Sequence, residues 1–226
     1  TLTYDKGNMF MQFETRGDTR TLRCRHGDFD AEIRLVRENP NSLVINIPFD
    51  EKPTQFYYNQ KINCMRADGV VRAGGKEYRF SPVDSFGLLD WGRGVWPFHN
   101  EWFWSNGTGI VDGGVFGFNL GCGFGNVNAA TENMLFYDGL AHKLGRVVIR
   151  HEEDFMAPWH LTDEEGRLEL TMTPTFDRTT KTKVLFINNV CHQVFGRFDG
   201  FAVLDDGTRL EVNELYAFAE HAVNNW

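Results

Sequence analysis

Phe29-Asp30-Ala31-Glu32-Ile33-Arg34-Leu35 places an apolar side chain at every second position, with charged residues between them. Successive side chains of an extended chain point to opposite faces, so this period of two predicts a strand with one dry and one wet face. The alternation returns in Leu168-Glu169-Leu170-Thr171-Met172-Thr173 and, more briefly, in Val147–Arg150. Turn chemistry separates such runs: Ala73-Gly74-Gly75 after GVVR, Asp138-Gly139 after NMLFY, and Asp206-Gly207 after FAVLD. Glycine reaches the positive φ that tight hairpins need, so each predicts a β-hairpin. Working outward, the chain reads as an all-β antiparallel meander, closed or nearly closed into a barrel sheet that removes exposed edges. One stretch departs from this. From Asn213, a plausible N-cap, Leu215, Phe218, Ala219, Ala222 and Trp226 fall at helical spacing, which predicts a short C-terminal helix across the sheet.

Composition supports sheet and excludes several functions. The 226 residues suffice for one large domain or two small ones and for a sizeable core without disulfide or metal staples. Twenty Phe, six Trp and six Tyr suit pleated, half-buried surfaces, and serve equally for an aromatic core or an apolar cavity. A net charge of -8 argues against duplex nucleic acid as a partner and against docking on anionic lipid. No run approaches a membrane span. The start, TLTYDKGNMF, has no signal-like character and no initiator Met, as a trimmed chain would. Cys24, Cys64, Cys122 and Cys191 lie far apart without paired spacing. Reduced thiols and a cytoplasmic location are therefore expected.

The segment Gly87–Gly109, GLLDWGRGVWPFHNEWFWSNGTG, gathers Trp91, Trp96, Trp102 and Trp104 around Asp90, Arg93, His99 and Glu101. The same mixture of polar groups among aromatics recurs in TENMLFYDG from Thr131 and CHQVFGRFDG from Cys191. The succession LDWGRGVWP, TEN, PW, TPTFDR, HQVFGRFDG and AEHAVNNW resembles domain-of-unknown-function family 2804 over essentially the whole chain. That family is similar to the lipocalin-like (calycin) superfamily of two-barrel proteins, which includes carotenoid hydratases and tocopherol-cyclase-like members. The resemblance implies a lipocalin-like barrel sheet and an apolar or amphipathic small-molecule partner, and it carries no established reaction. It also implies a longer N-terminus, so residues 1–82 would form a partial first barrel and 83–226 a second one ending in the helix. CGFGNVNAA, at Cys122–Ala130, departs from the family pattern, which puts any ligand contact from that loop in doubt.

Three residues are candidates for acid–base chemistry. Asp90 lies against an indole, where desolvation would favour a protonated carboxyl, while an Arg93 partner would hold it ionised or simply pin a barrel corner. Glu132 enters an apolar strand, which demands a partner or a solvated cavity unless the side chain is merely exposed. His192 sits among apolar neighbours and is either a proton carrier or a satisfied core histidine. Convergence of Asp90, Glu132 and His192 on one pocket would permit a cofactor-free, non-redox step such as hydration, cyclisation or isomerisation. Asp90 or Glu132 would donate the proton and His192 would accept one. Arg93, Trp96, Trp102, Trp104, Asn133, Gln193 and Arg197 would bind ligand, with the indole faces stabilising developing positive charge. The seven His show no zinc spacing, and neither a dinucleotide fingerprint nor a GxSxG elbow is present, so no metal and no cofactor is expected. Two other readings remain open: a lipid-like ligand carrier without catalysis, and a carbohydrate-active β protein using Trp platforms and paired carboxylates.

Overall fold

The computed structural model describes residues 1–225, and every regular element in them is a strand. The chain groups into two compact units, one of Thr1–Pro40 with Cys64–Leu88 and one of Asn41–Asn63 with Leu89 onward. These units interleave in sequence. The contiguous partition into barrels at 82/83 stays a proposal.

In the first unit β1 (Leu2–Lys6), β2 (Met9–Arg16), β3 (Thr19–His26) and β4 (Phe29–Val36) form an antiparallel meander. Gly7, Gly17 and Gly27 take positive φ in its two-residue turns. Then β4 pairs with Arg66–Arg72 of β6 (Phe56–Ala73), and β7 (Lys76–Phe80) folds back on β6 through Gly74-Gly75. Leu35, Cys64, Met65 and Ala67 are the buried apolar side chains here, so this unit is thinly cored.

The second unit holds β5 (Leu43–Pro48), which pairs with Phe56–Lys61 of β6, and most of β8 (Phe86–Val95). It also holds a nine-stranded antiparallel sheet. That sheet is made by β9 (His99–Val111), β10 (Gly114–Cys122), β11 (Met134–Tyr137), β12 (Leu140–Lys143), β13 (Val147–Arg150), β14 (Trp159–Asp163), β15 (Leu168–Val184), β16 (Ile187–Val203) and β17 (Arg209–Asn225). In space the order is β12-β11-β10-β9-β17-β16-β15-β14-β13. The sheet curls into a half-barrel, so side chains from strands far apart in that order meet in one core: Phe116, Phe118, Leu144, Ile149, Trp159, Leu170, Met172 and Phe198. The alternation read from the sequence is real, with Leu168, Leu170 and Met172 buried and Glu169 exposed between them. The expected turns at 74–75, 138–139 and 206–207 all join paired strands.

The C-terminal helix is corrected. After a bulge at Asn213-Glu214, where Glu214 takes φ 54°, Leu215–Asn225 continues β17 as extended chain, hydrogen-bonded to β16 on one side and, from Phe218, to β9 on the other. A strand inside a sheet with both faces covered carries apolar residues at odd and even positions, and that blurred pattern imitates helical spacing. Asn213 caps nothing; its amide donates to the Glu211 carbonyl. Trp226 lies outside the described residues.

Candidate functional site

Tyr57, Asn59 and Lys61 occupy alternate positions of β6 and so share one face. Lys61 is 2% exposed. An ammonium withdrawn from water needs partners, and here it has three. Its Nζ lies 2.7 Å from Glu132 Oε2 and 3.7 Å from Asp90 Oδ2, and it sits 4.1 Å from the centroid of the Trp104 ring. Asn59 Nδ2 donates to Asp90 Oδ1 at 2.6 Å and also to the Tyr57 hydroxyl. Burial pushes the Tyr57 hydroxyl far above its ordinary range, and the Asp90 and Glu132 charges add to this, so it remains a protonated phenol.

Each group is delivered by a local device. A Cβ at Gly94 would stand 2.1 Å from the Phe56 carbonyl oxygen, so only glycine lets β8 press this closely on β6. The Glu132 carboxylate occupies the space that a side chain at Gly121 would take, since a Cβ there would meet Oε1 at 2.2 Å. Asn133, 1% exposed, fixes the same corner by accepting from the Gly121 amide (2.7 Å) and donating to the Gly145 carbonyl (2.8 Å). Trp102 and Trp104 alternate along β9, and their indole N–H groups donate to Glu220 Oε1 (2.9 Å) and Asn119 Oδ1 (2.8 Å).

Glu220 stands opposite Trp104 on β17, and its other oxygen accepts from Gln193 Nε2 at 3.1 Å. Burial pushes its carboxyl above the ordinary glutamate range, against the opposing hydrogen bonds from Trp102, Cys191 and Gln193 and the charge of Lys61. Phe124 completes the wall, its ring centroid 4.8 Å from that of Tyr57 and 5.1 Å from that of Trp102. Tyr57, Lys61, Asp90, Trp96, Trp102, Trp104, Phe124, Glu132 and Glu220 line a half-open cavity of about 230 Å³. Three carboxyl groups therefore face one ammonium within an aromatic shell.

Of the residues singled out in the sequence, Asp90, Glu132, Trp96, Trp102 and Trp104 line this cavity. Gln193 stands behind Glu220, and Asn133 holds backbone. Arg93 is exposed, with its guanidinium carbon 5.9 Å from the Tyr58 centroid, and the cation beside Asp90 is Lys61 instead. Arg197 pairs with Glu214 at 2.7 Å on the surface. His192 points away from Gln193 and hence from the cavity. Its Nδ1 lies 2.7 Å from Asp177 Oδ2, and its ring stacks on Phe155 at 3.7 Å. Beside it, His151 Nε2 and His221 Nδ1 are 3.0 Å apart, and His221 Nε2 meets Glu101 at 2.9 Å. Among the described residues no group of three or more His, Cys, Asp or Glu is placed to hold a metal ion. Lys61, Tyr57, Phe124 and Glu220 are cavity residues that the sequence reading missed. Phe124 comes from the segment 122–130, whose part in ligand contact the sequence left in doubt.

The family model described as Domain of unknown function (DUF2804) matches residues 1–226. The chain belongs to this family. No curated protein matches the DUF2804 chain in sequence. Among solved structures it is similar to kievitone hydratase from Nectria haematococca, with 11% identity, a TM-score of 0.59, and coverage of 98% of this chain and 70% of that one. An AttH-like protein of Nitrosomonas europaea matches at 13% identity and a TM-score of 0.60, covering 97% of this chain and 68% of that one. CghA in complex with Sch210972 matches at 8% identity and a TM-score of 0.53, covering 99% and 69%. At such identities the likeness establishes a shared fold for the DUF2804 chain.

Proposed function

We propose that the protein binds an apolar or amphipathic small molecule in the Trp-lined cavity and performs cofactor-free, non-redox acid–base chemistry on it, hydration being the first choice. The observation that carries this reading is the pairing of one buried ammonium with two carboxylates, Asp90 and Glu132, beside a third carboxyl whose burial favours its protonated form. A hydratase among the fold relatives supports it. In the proposed step Glu220 gives a proton to one carbon of an alkene, and the adjacent carbon becomes electron-poor beside the indole faces. Water adds its oxygen to that carbon and loses a proton to the carboxylate of Glu132 or Asp90. Lys61 holds both carboxylates in place. The carboxyl that took up the proton then releases it to solvent, and solvent reprotonates Glu220. The four free cysteines support a reducing, cytoplasmic setting.

The Trp walls also favour a second reading, a carbohydrate-active site. A glycosidase, however, needs a gap for the glycosidic bond between its two carboxyl groups. Here Lys61 occupies the region between Asp90 and Glu132.

The test presents a panel of unsaturated amphipathic molecules, kievitone among them, in isotopically labelled water, with mass spectrometry reading label incorporation. Glu220→Gln should lower turnover by about 100-fold or more, the scale of a lost general acid, while leaving binding of the neutral fluorophore N-phenyl-1-naphthylamine intact. Fluorophore binding without turnover on any panel member would leave a carrier. Cleavage of oligosaccharides instead would replace the hydration reading with the second one.

A further inference from the structure

The hairpin that joins β15 to β16 ends in Val184-Leu185-Phe186-Ile187, four large apolar residues in succession and all exposed. Leu185 is 88% and Phe186 71% exposed, and Val184 pairs with Ile187, so Leu185-Phe186 is a two-residue turn. Such turns favour Asn, Asp and Gly because they require positive φ. This chain uses glycine in its turns at Gly7, Gly17, Gly27, Gly74, Gly139 and Gly207, yet here Leu185 is held at φ 55°. Leucine is poorly suited to both that conformation and that exposure, and two unfavourable choices at one place mark a functional surface. Phe98, itself half exposed, lies beside the tip with its ring centroid 6.4 Å from that of Phe186.

Charge tells what the tip faces. The whole chain carries -8, but the hairpin segment from Arg178 to Cys191 contains Arg178, Lys181 and Lys183 and no carboxylate. The β17 residues paired with its base, Val223, Asn224 and Asn225, are neutral. Lys183 and Lys181 stand two and four residues behind Leu185, which is roughly 7 and 13 Å at the rise of a strand. With apolar side chains buried about 5–10 Å into the boundary between headgroups and acyl chains, both ammonium groups would lie at the depth of lipid phosphates. A negative surface repels the acidic body and attracts the basic arm at short range, so it turns the apolar tip toward the lipid.

We propose that this hairpin docks the protein on the surface of an anionic phospholipid bilayer, Leu185 and Phe186 entering the acyl boundary and Lys181 and Lys183 meeting the headgroups. The attachment is peripheral, and no helix of the described residues is long and apolar enough to cross a membrane. It does not depend on what the cavity binds.

The experiment is flotation of the full chain with phosphatidylcholine vesicles prepared with and without phosphatidylserine. The protein should float with the phosphatidylserine vesicles. The doubly substituted Leu185→Ser/Phe186→Ser should lose at least about tenfold in partitioning. Lys181→Ala and Lys183→Ala should each cost about fivefold on the anionic vesicles and nothing on the neutral ones. All four side chains are exposed, so unchanged thermal melting shows that the variants are folded. Failure of the parent chain to float overturns the proposal, as does equal flotation of the serine variant. Sedimentation of the parent chain as a dimer that the serine variant converts to monomer would make the tip a contact between two copies, and the lipid proposal would fall.

Discussion

His151 stacks on Trp159 at 4.3 Å between ring centroids and contacts His221 through Nε2. Burial pushes it below the ordinary histidine range, and the neighbouring His221 and His192 add to the shift, while a hydrogen bond to the Glu152 carbonyl opposes it. A depressed folded-state value means that the unfolded chain takes up a proton the folded ring refuses. This contribution is therefore complete at neutral pH and is lost as pH falls through the ordinary histidine range. Melting temperature followed against pH should fall over that range in the parent chain and less in His151→Phe; parallel profiles would refute the assignment. The same scale explains which site residues were legible. Asp90 and the three cavity tryptophans stand out because polar groups sit among aromatics in Gly87–Gly109. Lys61 does not, since one lysine in a strand ordinarily faces water and only the burial of its face reveals it. Glu220 was hidden by the helical reading of its segment. His192 and Gln193 differ by one position, and without a known register nothing in the sequence says which of the two faces the cavity.

The long strands are legible where one face is wet and illegible where both are covered. Leu168–Met172 alternates because its outer face is solvated; Ala217–Asn225 does not, because no residue of that stretch is exposed and both of its faces are covered. Irregularity has a local cause as well. The pairing of β16 with β17 shifts register between Phe198 and Gly200, and Gly200 takes a φ of 141° with the Glu169 carbonyl oxygen 2.0 Å from where a Cβ would be. Gly200→Ala should thus combine backbone strain with a clash against backbone that cannot move aside. A loss of about 1–3 kcal/mol or more is expected in denaturant unfolding, with the slope unchanged. A neutral substitution would mean that β15 and β16 can separate there without penalty.

At the scale of the molecule the two units differ in how much apolar surface they bury. Few side chains are buried in the first unit, and β1 is exposed throughout, whereas β9, β10, β16 and β17 enclose the large core of the second. Local opening is easiest where few apolar contacts oppose it. Amides of β1–β3 should accordingly exchange with deuterium well before those of β10 and β17, and uniform protection would contradict this ranking. The all-β class was open to sequence reading because it rests on repeated short-range patterns. The cavity was only half open to it, because its charge balance joins Lys61 of β6, Asp90 of β8, Glu132 of the segment between β10 and β11, and Glu220 of β17. One of its contacts also offers a record of descent. Glu132 fills the space above Gly121, so a relative that carries any larger residue at that position has no room for the carboxylate. Glycine at 121 and an acid at 132 should be gained and lost together along the family tree, and lineages that have dropped the pair should have dropped the chemistry with it.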